Sequence, residues 1–196
     1  ASIEQWILRQ HGITNNIGTP ICESQFMDFG SVWLLRAQTL SPNYYQKDMP
    51  HHFVAIAHYG VVHGGGSGEN HSNHRAFDYL AMPGIAVVSV SDAFDLVGLM
   101  RAAYESRWPV IFMIPIWSYG ERECAAEIPK EKYLIPIGKA AVKRIGRDVT
   151  IVADGLCVRA ALNEAEFLAQ DGIDCEVVDI RSFNPFDIET IGDSIK

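Results

Sequence analysis

The chain has no apolar run long enough to cross a bilayer, no CxxC pair, no GxGxxG loop and no Ser-His-Asp context. Each absence removes a class of protein. A spanning helix needs about 20 consecutive apolar residues, so no transmembrane segment is expected. The four cysteines, Cys22, Cys124, Cys157 and Cys175, form neither a disulfide framework nor a metal knuckle, and read as buried free thiols of a reducing compartment. The missing glycine-rich and nucleophile motifs argue against a dinucleotide fold and a serine hydrolase. Positive charge is also scarce, with 16 Lys and Arg against 24 Asp and Glu. No basic stripe is left to neutralise a phosphate backbone, so neither nucleic acid nor a membrane is an expected partner. Residues 1–10 carry no signal or transit pattern, and the first residue is Ala1 rather than Met, which suggests a processed or trimmed start.

What is present is an ordinary globular composition, 48% hydrophobic and 20% charged over 196 residues. That is enough for one large domain or one and a half small ones. Short Val- and Ile-rich runs at 19–22, 53–57, 85–89, 110–113, 149–153 and 175–180 alternate with helical patterns at 3–11, 32–40, 93–105, 158–170 and 187–195. The runs are apolar at consecutive positions, as in a parallel sheet covered on both faces. The expected fold is therefore α/β, a mostly parallel sheet flanked by helices. Asp92 is the expected N-cap of the third helix and Gly172 the stop of the fourth. A boundary is expected near Glu131–Gly138. It is followed by a basic patch, Lys139, Lys143 and Arg144, and a second β-α-β unit from Asp148. Two strands and one helix are too few for a separate stable domain. Either the rest of that unit lies elsewhere or another chain completes it.

Histidines crowd one stretch: His51, His52, His58, His63, His71 and His74. A metal site is the natural rival reading, but the spacings fit no standard zinc pattern.

Three segments, in this order, resemble the beta subunit of the thiamine-diphosphate-dependent 2-oxo acid dehydrogenases of the pyruvate, branched-chain and acetoin types. They are Pro20-Ile21-Cys22-Glu23-Ser24-Gln25-Phe26-Met27-Asp28-Phe29; then Gly64-Gly65-Gly66-Ser67-Gly68-Glu69-Asn70-His71-Ser72-Asn73 with Pro83-Gly84-Ile85; and finally Ile135-Pro136-Ile137-Gly138-Lys139-Ala140 with Asp148-Val149-Thr150 and Asp179-Ile180-Arg181-Ser182-Phe183-Asn184-Pro185. The last is shared with deoxyxylulose-phosphate synthases and transketolases. The resemblance implies a transketolase-like pyrimidine-binding domain over 1–134 and the beginning of an incomplete C-terminal domain over 135–196.

It also implies chemistry. The cofactor, thiamine diphosphate, needs a carboxylate on its aminopyrimidine, an aromatic ring stacked on it and a Mg²⁺ holding its diphosphate. In the family the Mg²⁺ belongs to a partner alpha subunit. Two carboxylates compete for the activating role. Thr19-Pro20-Ile21-Cys22-Glu23 copies the activating motif, but Phe26-Met27-Asp28-Phe29 follows at once, which matches a second-strand glutamate instead. The register favours Glu4 as activator and Glu23 as a strand residue beside the cofactor. Phe29 takes the stacking position and Gln25 the place next to it. His71 takes the position of a proton-handling histidine, and Gly64–Gly66 allow close backbone approach. Two departures stand out: His58 lies where the family has an arginine, and 40–52 lacks its Gly-Gly turn. Ala153-Asp154-Gly155 is not continued as a diphosphate motif.

The implied activity is oxidative decarboxylation of a 2-oxo acid with acyl transfer to a lipoyl group. The implied partners are an alpha-type subunit, a second beta copy and a lipoyl-bearing acyltransferase core. The compartment would be cytoplasm in a bacterium or mitochondrial matrix in a eukaryote. The alternatives are an acetoin-cleaving, deoxyxylulose-phosphate-synthase-like or transketolase-like enzyme, or a non-catalytic beta-like subunit.

Overall fold

The computed structural model describes residues 15–17, 22–23, 52–60, 74–106 and 109–195, with 15–17, 22–23 and 52–53 described by backbone alone. Strands β1 (Asn15–Ile17) and β2 (Cys22–Glu23) both run parallel to β3 (His52–Tyr59). Beyond β3 lie β5 (Val110–Pro115), β4 (Ala86–Ser89) and β9 (Ser182–Asn184), in that order. The sheet is parallel up to β4, and β9 alone is antiparallel.

The apolar runs are buried because both faces are covered. Every residue of β4 and β5 is buried. On one face Ala57, Tyr59, Val87, Ile111 and Met113 meet Ala76 and Tyr79 of helix α1 (Ala76–Leu80). On the other, Val54, Val88, Val110, Phe112 and Ile114 meet Leu99 and Ala103 of α2 (Ala93–Glu105). Burying each such side chain contributes about 1.5–3 kcal/mol. Asp92 caps α2 as expected, accepting a hydrogen bond from the Asp95 N–H at 2.7 Å.

The stretch that the sequence marks as a boundary is fastened to α2. Tyr133 stacks on Phe94 with ring centroids 4.5 Å apart and donates its hydroxyl to the Phe94 carbonyl at 2.9 Å. Ile135 is buried over Gly98, where a β-carbon would come within 2.6 Å of it.

Beyond it lies a second sheet, ordered β6 (Ala141–Arg144), β8 (Cys175–Asp179), β7 (Val149–Ala153). Helix α3 (Gly155–Gln170) covers one face with Val158, Ala161 and Ala165. Helix α4 (Ile188–Ser194) sets Ile191 against Val178 and Ile180. Gly172 ends α3 as expected, with φ of 82° and its N–H on the Ala169 carbonyl.

Several expectations need correction. The second unit has three strands rather than two, because β6 pairs antiparallel with β8. The sequence hid β6 under what read as a basic patch. In the fold each cation of that patch is taken up by carboxylates: Lys139 by Asp187 and Glu189, Lys143 by Asp92 and Asp95, Arg144 by Asp174. β9 leaves its own unit to extend the first sheet. Helix α3 begins three residues earlier than expected, and α1, only five residues long, was not anticipated. Of the strand expected over 19–22 only Cys22 is in a described strand, and Asn15–Ile17 is an unexpected addition. Five steps from Ile17 to Cys22 match three from Val54 to Ala57, so the edge slips by two residues between β1 and β2. Cys124 and Cys175 are buried free thiols, but Cys157 is exposed, since it sits on the outer side of the first turn of α3. The helices expected over 3–11 and 32–40 lie outside the described residues.

Candidate functional site

Parallel strands all present their carboxyl ends at one edge of the sheet, and in open α/β sheets ligands bind there. The described part of this rim is formed by the ends of β3, β4 and β5. On the α2 face, a cleft of about 410 Å³ opens between the first turn of α2 and a strap of two 3-10 turns, Ile116–Ser118 and Arg122–Cys124. Val90, Leu96 and Ile114 form its apolar floor, and Ser91, Asp92, Tyr119 and Arg122 its polar wall. His58, near the end of β3, holds Tyr119 through a 2.7 Å bond between Nε2 and the hydroxyl. Burial pushes the Tyr119 phenol above its ordinary range.

On the opposite face the rim is closed by the second unit. The Ser89 hydroxyl donates to Asp154 Oδ2 at 3.1 Å. His74 Nε2 lies 3.7 Å from the same oxygen, and its ring meets Tyr59 edge-on at 4.5 Å. Burial, reinforced by the Asp154 charge, pushes the Tyr59 phenol up to about 12, although a hydrogen bond with Ser89 works the other way. Tyr59 is therefore a neutral phenol at physiological pH. Gly155 makes this closure possible: its φ is +49°, and a β-carbon there would stand 2.0 Å from the Tyr59 hydroxyl. Gly155→Ala is expected to destabilise by about 1–3 kcal/mol through overpacking and backbone strain. Gly172→Ala, where φ is also positive but nothing lies within 4 Å, should cost less. Denaturant midpoints of the two variants make the comparison, and equal losses would show that the contact with Tyr59 is irrelevant.

Of the residues singled out in the sequence, Glu23 has its backbone described. It pairs with His58, one residue before the carboxyl end of β3. Glu4, Gln25, Phe29 and His71 lie outside the described residues, although His71 precedes His74 by only three positions. Asp154 was named only within Ala153-Asp154-Gly155 and set aside because that run is not continued as a diphosphate motif. Tyr59 and Ser89 carried no signal, since each ends an apolar strand.

The described rim can be tested against thiamine diphosphate. The cleft has an apolar floor and neutral hydroxyls, which suit an uncharged heteroaromatic ring. Asp92 and Glu121 line it against the single guanidinium of Arg122, which does not suit a diphosphate. Among the described residues no group of three or more His, Cys, Asp or Glu side chains could hold a metal ion. The fit extends to the ring and not to the metal-bound end.

The fold is that of an α/β chain of the transketolase kind, built from two successive units. Residues 11–120 match the family described as transketolase, pyrimidine binding domain, and residues 138–196 match transketolase, C-terminal domain. The chain belongs to this family. It is 38% identical over 176 residues to the 2-oxoisovalerate dehydrogenase subunit beta of Bacillus subtilis, covering 88% of this chain and 52% of that protein. It is 40% identical over 138 residues to the pyruvate dehydrogenase E1 component subunit beta of Acholeplasma laidlawii, covering 69% of this chain and 42% of the relative. The chain thus spans about half the length of these curated relatives. Among solved structures, a split gene transketolase in an inactive beta4 tetramer superposes with a TM-score of 0.61 at 18% identity, covering 98% of this chain and 73% of that one. Transketolase from Pichia stipitis gives 0.61 at 21% identity, covering 89% and 24%. At these identities the likeness is one of fold.

Proposed function

We propose that this chain is the beta-type part of a thiamine-diphosphate-dependent 2-oxo acid dehydrogenase, decarboxylating its substrate and passing the acyl group to a lipoyl group on a partner protein. One observation carries the reading: the 38% identity with a 2-oxoisovalerate dehydrogenase beta subunit runs through 88% of the chain and so through both units. Residues to about 134 form the pyrimidine-binding domain, and 135–196 begin the C-terminal domain. The compartment is the cytoplasm in a bacterium or the mitochondrial matrix in a eukaryote. The plant relatives, named as mitochondrial, support the second alternative.

Bound thiamine diphosphate supplies the electron sink that decarboxylation of a 2-oxo acid requires. This chain's side chains hold and prepare the cofactor's ring. Phe29 stacks on it, with Gln25 alongside. Glu4 accepts the ring's hydrogen bond, while Glu23 stands on the strand edge beside His58. His71 moves a proton at the reacting centre. The two carboxylates in the described cleft leave the diphosphate and its Mg²⁺ to an alpha-type subunit, with a second beta copy completing the assembly.

The experiment is reconstitution. The purified chain alone should bind thiamine diphosphate weakly or not at all. With an alpha-type subunit it should bind tightly, require Mg²⁺ and release CO₂ from a branched-chain 2-oxo acid or pyruvate. Calorimetry showing tight Mg²⁺-dependent binding to the chain alone would sink the shared-site reading. A second reading, a beta-like subunit without turnover, is favoured by one observation: His58 stands where the resemblance leads one to expect arginine, and it is engaged with Tyr119. Cofactor binding without CO₂ release in the reconstituted assembly would select it.

A further inference from the structure

At the joint between the two units, five buried or half-buried ionisable side chains and one hydroxyl meet. Asp95, in the first turn of α2, and Asp179, at the end of β8, are both 0% exposed. Lys143 comes from β6, and Arg181 from the turn after β8. Asp92 and Ser91 precede α2. The cations are not shared evenly. Lys143 Nζ lies 2.5 Å from Asp95 and 2.8 Å from Asp92 but 3.9 Å from Asp179. Arg181 turns its terminal nitrogen to Asp95 at 2.5 Å. Asp179 receives only the backbone N–H of Arg181 at 2.9 Å and the hydroxyl of Ser91 at 2.5 Å.

Counting charges places the deficit on Asp179. Ser91 Oγ faces two carboxylate oxygens, Asp179 at 2.5 Å and Asp95 at 3.4 Å. A hydroxyl has one proton to give and can accept others. With both aspartates ionised, Ser91 gives its proton to Asp179, while Asp95 keeps Lys143 on the same oxygen that faces Ser91. The fully buried carboxylate left without a cation in contact is Asp179, 3.9 Å from Lys143. The charge count agrees: three carboxylates, Asp92, Asp95 and Asp179, meet two cations, Lys143 and Arg181. A proton on Asp179 removes its unpaired charge. Its carboxyl then donates to Ser91, and Ser91 is free to turn its own proton to Asp95.

We propose that Asp179 takes up a proton in mildly acidic solution, and that this proton completes the chain Asp179–Ser91–Asp95, fastening the second unit to the wall of the rim cleft. Ser91 and Asp92 both line that cleft, so the proton tightens a binding surface as well as a joint. The electrostatics agree. Burial pushes the Asp179 carboxyl up to about 6, with the Asp95 charge adding to the rise and the Ser91 and Arg181 bonds opposing it. Asp95 moves the other way: burial raises it, but the Arg181 hydrogen bond and the Lys143 charge outweigh this and hold it below the usual carboxylate range. The proton therefore belongs to Asp179.

The sign is set by linkage. A carboxyl whose folded pKa is raised stabilises fully below its unfolded value, ordinarily about 3.9, and that stability is lost as pH rises through about 6. Asp179→Asn fixes the neutral form, since its amide donates permanently to Ser91. The melting temperature of the purified protein is measured from pH 8 to pH 5 for wild type and for Asp179→Asn. Groups common to both cancel in the difference. The variant should melt above wild type at pH 8, by roughly 5 °C or more, and the gap should narrow to about half of that by pH 5. A gap independent of pH, or a variant less stable throughout, would overturn the proposal. Infrared titration of wild type against the variant gives a second measurement that survives a poorly folding mutant. A protonated carboxyl band lost with a midpoint near 6 supports the assignment, and loss near 4 refutes it.

Discussion

Replacing Asp95 with alanine is expected to lower stability by about 3–5 kcal/mol, the usual consequence of removing one partner from a buried ion network. Asp95 is fully buried, and its two oxygens hold Arg181 and Lys143. Without it, Arg181 would be left facing a neutral cavity, and Lys143 would keep Asp92 on the cleft side and the more distant Asp179. The loss should fall on the joint, because Lys143 and Arg181 belong to the second unit and Asp95 to the first. In a protein of this size it should lower the melting temperature by roughly 10 °C. The pH dependence has a definite sign. The Asp95 carboxyl is held below its usual range, so the stability it lends is present above the ordinary carboxylate value and lost only in stronger acid. The deficit of Asp95→Ala should accordingly persist undiminished from pH 8 to pH 5. Arg159→Ala supplies the contrast: its pair with Glu123 is solvated, and such pairs contribute about 0–1 kcal/mol. Chemical denaturation of the three proteins tests this, and a loss below 1 kcal/mol in Asp95→Ala would show that the network is dispensable.

In the reconstituted enzyme, Glu4→Gln is expected to lower turnover by about 10²–10⁴-fold, the usual contribution of a positioned acid-base group. Glu23→Gln should change it less than tenfold. The two residues compete for one role, and the described fold bears on the second of them. Glu23 lies on β2 in parallel register with His58, which accords with a strand residue followed directly by the aromatic segment proposed to hold the ring. An activating carboxylate at Glu23 would call for a helix and a strand between it and Phe26, which follows only three positions later. Glutamine preserves shape, so neither change should unfold the protein. Turnover is measured together with hydrogen exchange at the reactive carbon of bound thiamine diphosphate. Normal exchange in Glu4→Gln with exchange abolished in Glu23→Gln would reverse the assignment.

Elements with a strong local pattern were legible without coordinates. The 93–105 helix was bounded correctly because Asp92 offers a cap and the apolar stripe meets one face. The consecutive apolar runs at 85–89 and 110–113 announced a sheet covered on both sides, and β4 and β5 are buried throughout. β6 was missed because its sequence, Ala-Val-Lys-Arg, is half charged. Its stability rests on Asp92, Asp95, Asp174 and Asp179, which lie 30 or more positions away in the chain. β9 was missed because three residues give no periodicity, and its partner is β4, nearly a hundred positions earlier.

The sequence by itself determined the fold class and the family, because those depend on local pattern and on motifs read in order; the residues proposed to meet a cofactor are read from the same motifs. Only the tertiary structure decided how the two units are joined. Asp154 closing the rim against Ser89 and His74, and Asp179 left without a contacting cation beside Asp95, are consequences of which charges the fold brings together and removes from water. Neither chain separation nor composition encodes that. It follows from burial, which turns unremarkable aspartates into groups whose protonation and partners are fixed by distance.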